Sequence, residues 1–136
     1  YKLCAMNGLL EQLILIIYDG HTVSYMQDFA AYSDRISFYW GGTYEELLIT
    51  TNDLKALHTN HNDIYVQLYP WGLLPTEEFS LHAIENGFKV YCSTVFNFDK
   101  LINAYGKGIK LIECANVGFV KDQLRNYANS LVYPKD

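Results

Sequence analysis

IYVQLYPWGLLPTEEFSLHAIENGFKVYC, residues 64–92, carries the reading that decides the fold. Ile64-Tyr65-Val66-Gln67-Leu68-Tyr69 is dense in β-branched and aromatic residues and stops at Pro70, as a strand does. After Pro75 comes Thr76, a good N-cap. Glu77 and Glu78 follow it in the first helical turn, where carboxylates meet the positive end of the helix dipole. Gly87 suits the left-handed residue that closes a helix, and Phe88 to Val95 then reads as another strand. Strand, helix and strand joined by short connections make one unit of a parallel sheet.

Working outward, the unit recurs. Gly108-Ile109-Lys110-Leu111-Ile112 repeats the pattern of Gly87-Phe88-Lys89-Val90-Tyr91 at an offset of 21 residues. Between them a helix is expected over Asp99–Tyr105, and a last amphipathic helix runs from about Val120 to Leu131. Toward the N-terminus, Leu9, Leu10, Leu13, Ile14, Ile16 and Ile17 fall at helical spacings before the stop signal Asp19-Gly20. A strand is expected at His21–Met26, one helical turn at Asp28–Ser33, and a second strand at Arg35–Trp40, ended by Gly41-Gly42. Helical stretches at Glu45–Leu48 and Asp53–His58 are separated or bent around Ile49-Thr50-Thr51. The class is α/β.

Composition narrows the function. Ten basic against 15 acidic side chains give a net charge of −5, and no Lys or Arg cluster forms the basic stripe of a nucleic-acid binder. Half of the residues are hydrophobic and 18% are charged, which excludes disorder. The longest apolar run, Leu13 to Tyr18, falls far short of the roughly 20 residues that span a bilayer, and no basic leader precedes it. Cys4, Cys92 and Cys114 are odd in number and widely spaced, so reduced, buried thiols are expected. They suit a cytoplasmic or virion-associated protein better than a disulfide-bonded secreted one.

Two architectures accommodate five such strands. An open, flavodoxin-like doubly wound sheet would place its ligand beyond the strand carboxyl ends. It calls for a phosphate-cradling loop after its first strand, and neither GxGxxG nor GxxxxGK[ST] occurs. A run of strand–helix units from a (β/α) TIM-type barrel needs no such loop. A complete barrel takes about 250 residues, so 136 residues are expected to be a single α/β unit, part of a larger barrel.

The segment from Thr76 to Cys114 resembles the C-terminal end of the glycerophosphodiester phosphodiesterases. The likeness rests on Glu85-Asn86-Gly87-Phe88-Lys89-Val90, on Ser93-Thr94-Val95-Phe96-Asn97 and on Leu111-Ile112-Glu113-Cys114. Thr94 and Val95 match the family's W-T-V-N run. Ser93 replaces its Trp, Asn97 is displaced by one residue, and Glu113-Cys114 stands where the family has Thr-Asp. Thr22–Phe29 and Arg35–Trp40 are similar in pattern to the fifth and sixth barrel strands. The resemblance implies hydrolysis of a glycerol phosphodiester with a divalent metal, calcium or magnesium, and a His pair as acid and base. Those groups belong to the family's first half, and no residue of this chain is expected to be catalytic or to ligate metal. Pairing with the missing half or with a second copy is implied as well. The other reading is a non-enzymatic binding or structural module, in a virion or cell-surface assembly, that holds a saccharide or a glycerol-phosphate polymer.

As pocket wall the resemblance implies Ser93 or Thr94, Glu113, and the tryptophans Trp40 and Trp71. Trp40 and Trp71 lie just past strand ends, where they could line a barrel mouth or plug one loop against the next. Glu113 closes an apolar strand, where a carboxylate is costly unless paired. It is either a pocket residue, since barrel sites gather at strand carboxyl ends, or a partner of Lys110 or Lys121. His58, His61 and Asp63 read as a helix end and turn more readily than as a zinc site, which needs three or four placed ligands. His21 and His82 read as surface or satisfied residues. Glu45, Glu46, Glu77 and Glu78 are first-turn acids, and Cys92 lacks an evident base for nucleophilic chemistry.

Overall fold

The structure is a computed structural model that describes residues 2–16, 22–31, 33–58, 62–70, 74–93, 99, 102, 108–113 and 117–132. Its elements, in chain order, are α1 (Lys2–Met6), a 3₁₀ turn (Leu10–Gln12), β1 (Ile14–Ile16), α2 (Thr22–Ala30), β2 (Ser37–Gly42), α3 (Tyr44–Leu57), β3 (Ile64–Leu68), α4 (Glu77–Glu85), β4 (Lys89–Cys92), β5 (Ile109–Ile112) and α5 (Val117–Val132). The five strands form one sheet in the order β1-β2-β3-β4-β5, every pairing parallel. The α/β class with covering helices is therefore correct.

Two N-terminal assignments are corrected. The apolar run that looked helical supplies β1, in register with β2 through Ile14↔Ser37, Leu15↔Phe38 and Ile16↔Tyr39. A short continuous apolar run fits a buried strand as well as a helix, and periodicity alone cannot separate them. The strand expected at His21–Met26 is instead part of α2, so Thr22–Phe29 is not a barrel strand. Val23, Met26 and Ala30 explain the outcome: at i, i+3 and i+7 they form one helical face against the core, and Met26 is fully buried.

The remaining elements follow their local signals. Helix α3 opens with a capping box in which the Glu46 N–H donates to Thr43 Oγ1 and the Thr43 N–H donates to the Glu46 carboxylate. It continues unbroken through Ile49-Thr50-Thr51, with the Thr50 and Thr51 hydroxyls donating to the carbonyls of Glu46 and Leu47 one turn back. Leu47, Thr51, Leu54 and Leu57 keep a single buried stripe. Thr76 caps α4 by accepting from the Phe79 N–H at 3.3 Å. Gly87 and Gly108, at φ +82° and +77°, lead into β4 and β5, so the recurring unit turns on the same left-handed glycine. The helix expected over Asp99–Tyr105 lies outside the described residues except for Asp99 and Ile102, which are helical.

Alternate strand residues point to opposite faces. One face carries Phe38, Trp40, Ile64, Val66, Leu68, Val90 and Cys92, packed with Leu47, Leu54 and Leu57 of α3 and Phe79 and Ala83 of α4 in a single apolar cluster that also includes Met26 and Ile109. Right-handed crossovers between successive neighbours place their helices on the same side of a sheet, and the cluster agrees. This leaves the other face of the sheet to different residues.

Candidate functional site

The second face is polar, although a parallel sheet covered on both sides is ordinarily apolar on both. Register places Tyr39, Tyr65 and Lys89 in one row, and Gly41 beside Gln67 in the next. Tyr91 and Leu111 are partners farther along.

At the amino end of these strands the groups tie the sheet together. The Asp63 N–H donates to Ser37 Oγ at 3.0 Å, and Lys89 Nζ donates to Asp63 Oδ2 at 2.6 Å. The ammonium also lies 5.8 Å from the Tyr65 ring centroid. The Asp63 hydrogen bond holds the Lys89 pKa above the ordinary lysine value, against a smaller opposing effect of partial burial.

At the carboxyl end a chain of hydrogen bonds runs beside a hydrogen-bonded pair. Tyr39 donates its hydroxyl to Gln67 Oε1, and Gln67 Nε2 donates to Ser93 Oγ at 2.6 Å. All three side chains are buried: Tyr39 is 4%, Gln67 3% and Ser93 8% exposed. Beside them the Tyr91 hydroxyl donates to Glu113 Oε2, and the Tyr91 ring meets Tyr39 edge-on at 5.3 Å. A backbone bond from the Glu113 N–H to the Cys92 carbonyl, 2.9 Å, carries the ladder past β5 and sets Glu113 next to the end of β4. Glu113 itself is exposed. The assembly presents the Ser93 hydroxyl and the Glu113 carboxylate beside the Tyr39 and Tyr91 rings.

Of the residues predicted from sequence, Ser93 and Glu113 come together here. Glu113 finds its partner in Tyr91, a group the charge-based reading did not consider. Trp40 is on the opposite face, 5% exposed within the apolar cluster. Trp71 and Thr94 lie outside the described residues, as do His21, His61 and Cys114. His58 ends α3, its N–H donating to the Lys55 carbonyl, while Asp63 is held by Lys89. His82 Nε2 lies 2.8 Å from Thr51 Oγ1, with its ring edge-on to Tyr44, and so links α4 to α3. Cys4 is half-buried and Cys92 is buried. Among the described residues no three His, Cys, Asp or Glu side chains form a group able to hold a metal ion. No helix of the described residues is long and apolar enough to cross a membrane.

Tyr39, Gln67 and Tyr91 were not singled out from sequence. The signal was present in the alternation Tyr65-Val66-Gln67-Leu68, where a neutral amide sits inside a central strand. A buried amide is costly without hydrogen-bond partners, so its position calls for a polar environment on that face. Comparison with protein-family models, with curated proteins and with solved structures finds no match to this chain.

Proposed function

We propose that the chain is part of a (β/α) TIM-type barrel whose strand carboxyl ends hold a polyhydroxyl ligand, a glycerol phosphodiester or a polymer of related chemistry. In a protein of the glycerophosphodiester phosphodiesterase type, hydrolysis is then performed by residues other than those described here. The sequential order of parallel strands supports the barrel, since neighbours in sequence are neighbours around a barrel wall. The observation that carries the ligand is the buried Tyr39–Gln67–Ser93 chain beside the Tyr91–Glu113 pair. Hydroxyls and a carboxylate suit the donors and acceptors of a polyol, and the Tyr39 and Tyr91 rings give its carbon skeleton an apolar floor.

The parent chemistry calls for a divalent metal, and the described side chains do not provide a site for one: Asp63 is engaged by Lys89, and Glu113 stands with a tyrosine hydroxyl. No step is assigned to a metal on this chain. Its own residues bind and orient: Tyr91 fixes the Glu113 carboxylate, and Gln67 fixes Ser93.

Titration of the ¹⁵N-labelled chain with glycerophosphocholine, a glycerol phosphate oligomer and a neutral oligosaccharide tests the reading. Shifts concentrated at Gln67, Ser93 and Glu113 with at least one of them are expected. Shifts with none would overturn it. The same 136 residues should not release glycerol phosphate from glycerophosphocholine with or without calcium or magnesium, and turnover by this chain would refute the assignment of hydrolysis to other residues.

A further inference from the structure

The hydrogen bonds on the polar face run in one direction. Tyr39 gives its proton to Gln67 Oε1, which commits the amide oxygen and turns Nε2 toward Ser93. Nε2 donates to Ser93 Oγ and occupies one lone pair of that hydroxyl. The Ser93 proton is thereby directed away from Gln67. Hydrogen-bonded chains of this kind polarise along their length, so each donor strengthens the next. On the neighbouring strand end Tyr91 occupies Glu113 Oε2, which leaves the other carboxylate oxygen of this exposed side chain for an acceptor's role.

We infer that Tyr39 and Gln67 are positioning residues that lock Ser93 as a hydrogen-bond donor, and that Ser93 and Glu113 together select an uncharged ligand hydroxyl over a phosphate oxygen. This rests on the polyol reading above and deepens it. A hydroxyl can accept from Ser93 while donating to Glu113, satisfying both groups. A phosphate oxygen can accept from Ser93 but has no proton for Glu113, and its charge is repelled by the carboxylate. The ligand's neutral, hydroxyl-bearing end therefore sits at the ends of β4 and β5. Gln67 touches no ligand in this arrangement. It acts by removing the alternative in which Ser93 turns its proton inward and presents only lone pairs.

Two measurements test the inference. In the ligand-free chain the Gln67 side-chain amide resonances should move, and their solvent exchange quicken, far more in Ser93→Ala than in Tyr39→Phe. The reverse pattern would mean that the amide donates to Tyr39 and would overturn the proposed direction, whether or not any ligand binds. In glycerophosphocholine titrations Ser93→Ala should weaken binding roughly three- to tenfold, the range for one lost hydrogen bond. Tyr39→Phe should weaken it about twofold alone and not at all in the Ser93→Ala background. Additive losses would assign Tyr39 a merely structural role. Dimethyl phosphate, whose charged oxygens carry no proton, should leave the Ser93 and Glu113 resonances unmoved, and its binding there would refute the selection for a hydroxyl. If wild type fails to bind glycerophosphocholine, glycerol phosphate oligomer and oligosaccharide alike, the polyol reading falls, while the amide resonances still decide the direction of the chain.

Discussion

Gly42 ends β2 with no side chain, and the indole of Trp40 occupies the space that one would need. A Cβ there would stand 2.5 Å from Trp40 Cη2 and 2.8 Å from Glu46 Oε2, the carboxylate that caps α3. Neither neighbour can yield cheaply: the indole is buried in the core and the carboxylate holds the Thr43 N–H. Gly42→Ala is therefore expected to lower stability by about 1–3 kcal/mol, the usual cost of overpacking, visible as a lower thermal midpoint. An unchanged midpoint would show that the Trp40 ring has room to move. The same contact explains why the side of the sheet taken by Trp40 was hard to read. A Trp at a strand end suits a rim as well as a core, and the deciding clue is a glycine two residues on, on the same face. Glu113 was singled out because the cost of a carboxylate at a strand end is a local fact, and Ser93 through the family resemblance. Their partners Gln67, Tyr39 and Tyr91 come from other strands, and only the register brings them within reach.

Among the elements, those with chemically explicit ends and the long amphipathic α5 were legible from sequence, and the short N-terminal ones were not. Thr76 with its following acids and Gly87 bounded α4 correctly, and the Gly87 and Gly108 turns matched in backbone angle as the repeat required. β1 and α2 carry no such marks within their described residues, and packing decided them: β1 through its register with β2, α2 through Met26. The connection between β3 and β4 also has an electrostatic clasp. Lys89 at the start of β4 reaches Asp63 just before β3, and both side chains are partly exposed. Screening by water keeps such a pair near 0.2–1 kcal/mol. A lysine pKa raised by folding stabilises the folded chain fully below the unfolded value of about 10.4, and that contribution fades as pH climbs through the higher folded value. The stability difference between wild type and Lys89→Met should thus stay constant from pH 7 to pH 9 and shrink as pH rises beyond the unfolded value of about 10.4. A difference that holds at high pH would mean the lysine acts through its aliphatic stem instead.

At the scale of the whole molecule, one apolar core lies between the sheet and its helices, and the opposite face is polar. Among the described strands β1 and β5 each have a neighbour on one side only. Open edges of a parallel sheet present unpaired backbone groups and favour association, and Ile16 on β1 adds a half-exposed apolar side chain at 46%. We expect the chain to associate with itself or with further strands, so that its sedimentation coefficient rises with concentration and Ile16→Lys reduces the rise. Monomeric behaviour across the whole concentration range would remove the edge argument.

The order β1-β2-β3-β4-β5 has a kinetic consequence as well. Every strand after the first finds its partner already made, one connection back along the chain, so no pairing waits for a distant segment. Loop closure costs grow with the length enclosed, and a sheet assembled in sequence keeps each closure short. Such a chain can fold in the direction of its synthesis, each new strand docking on a finished edge, and the polar face is completed last, when β5 brings Glu113 to Tyr91.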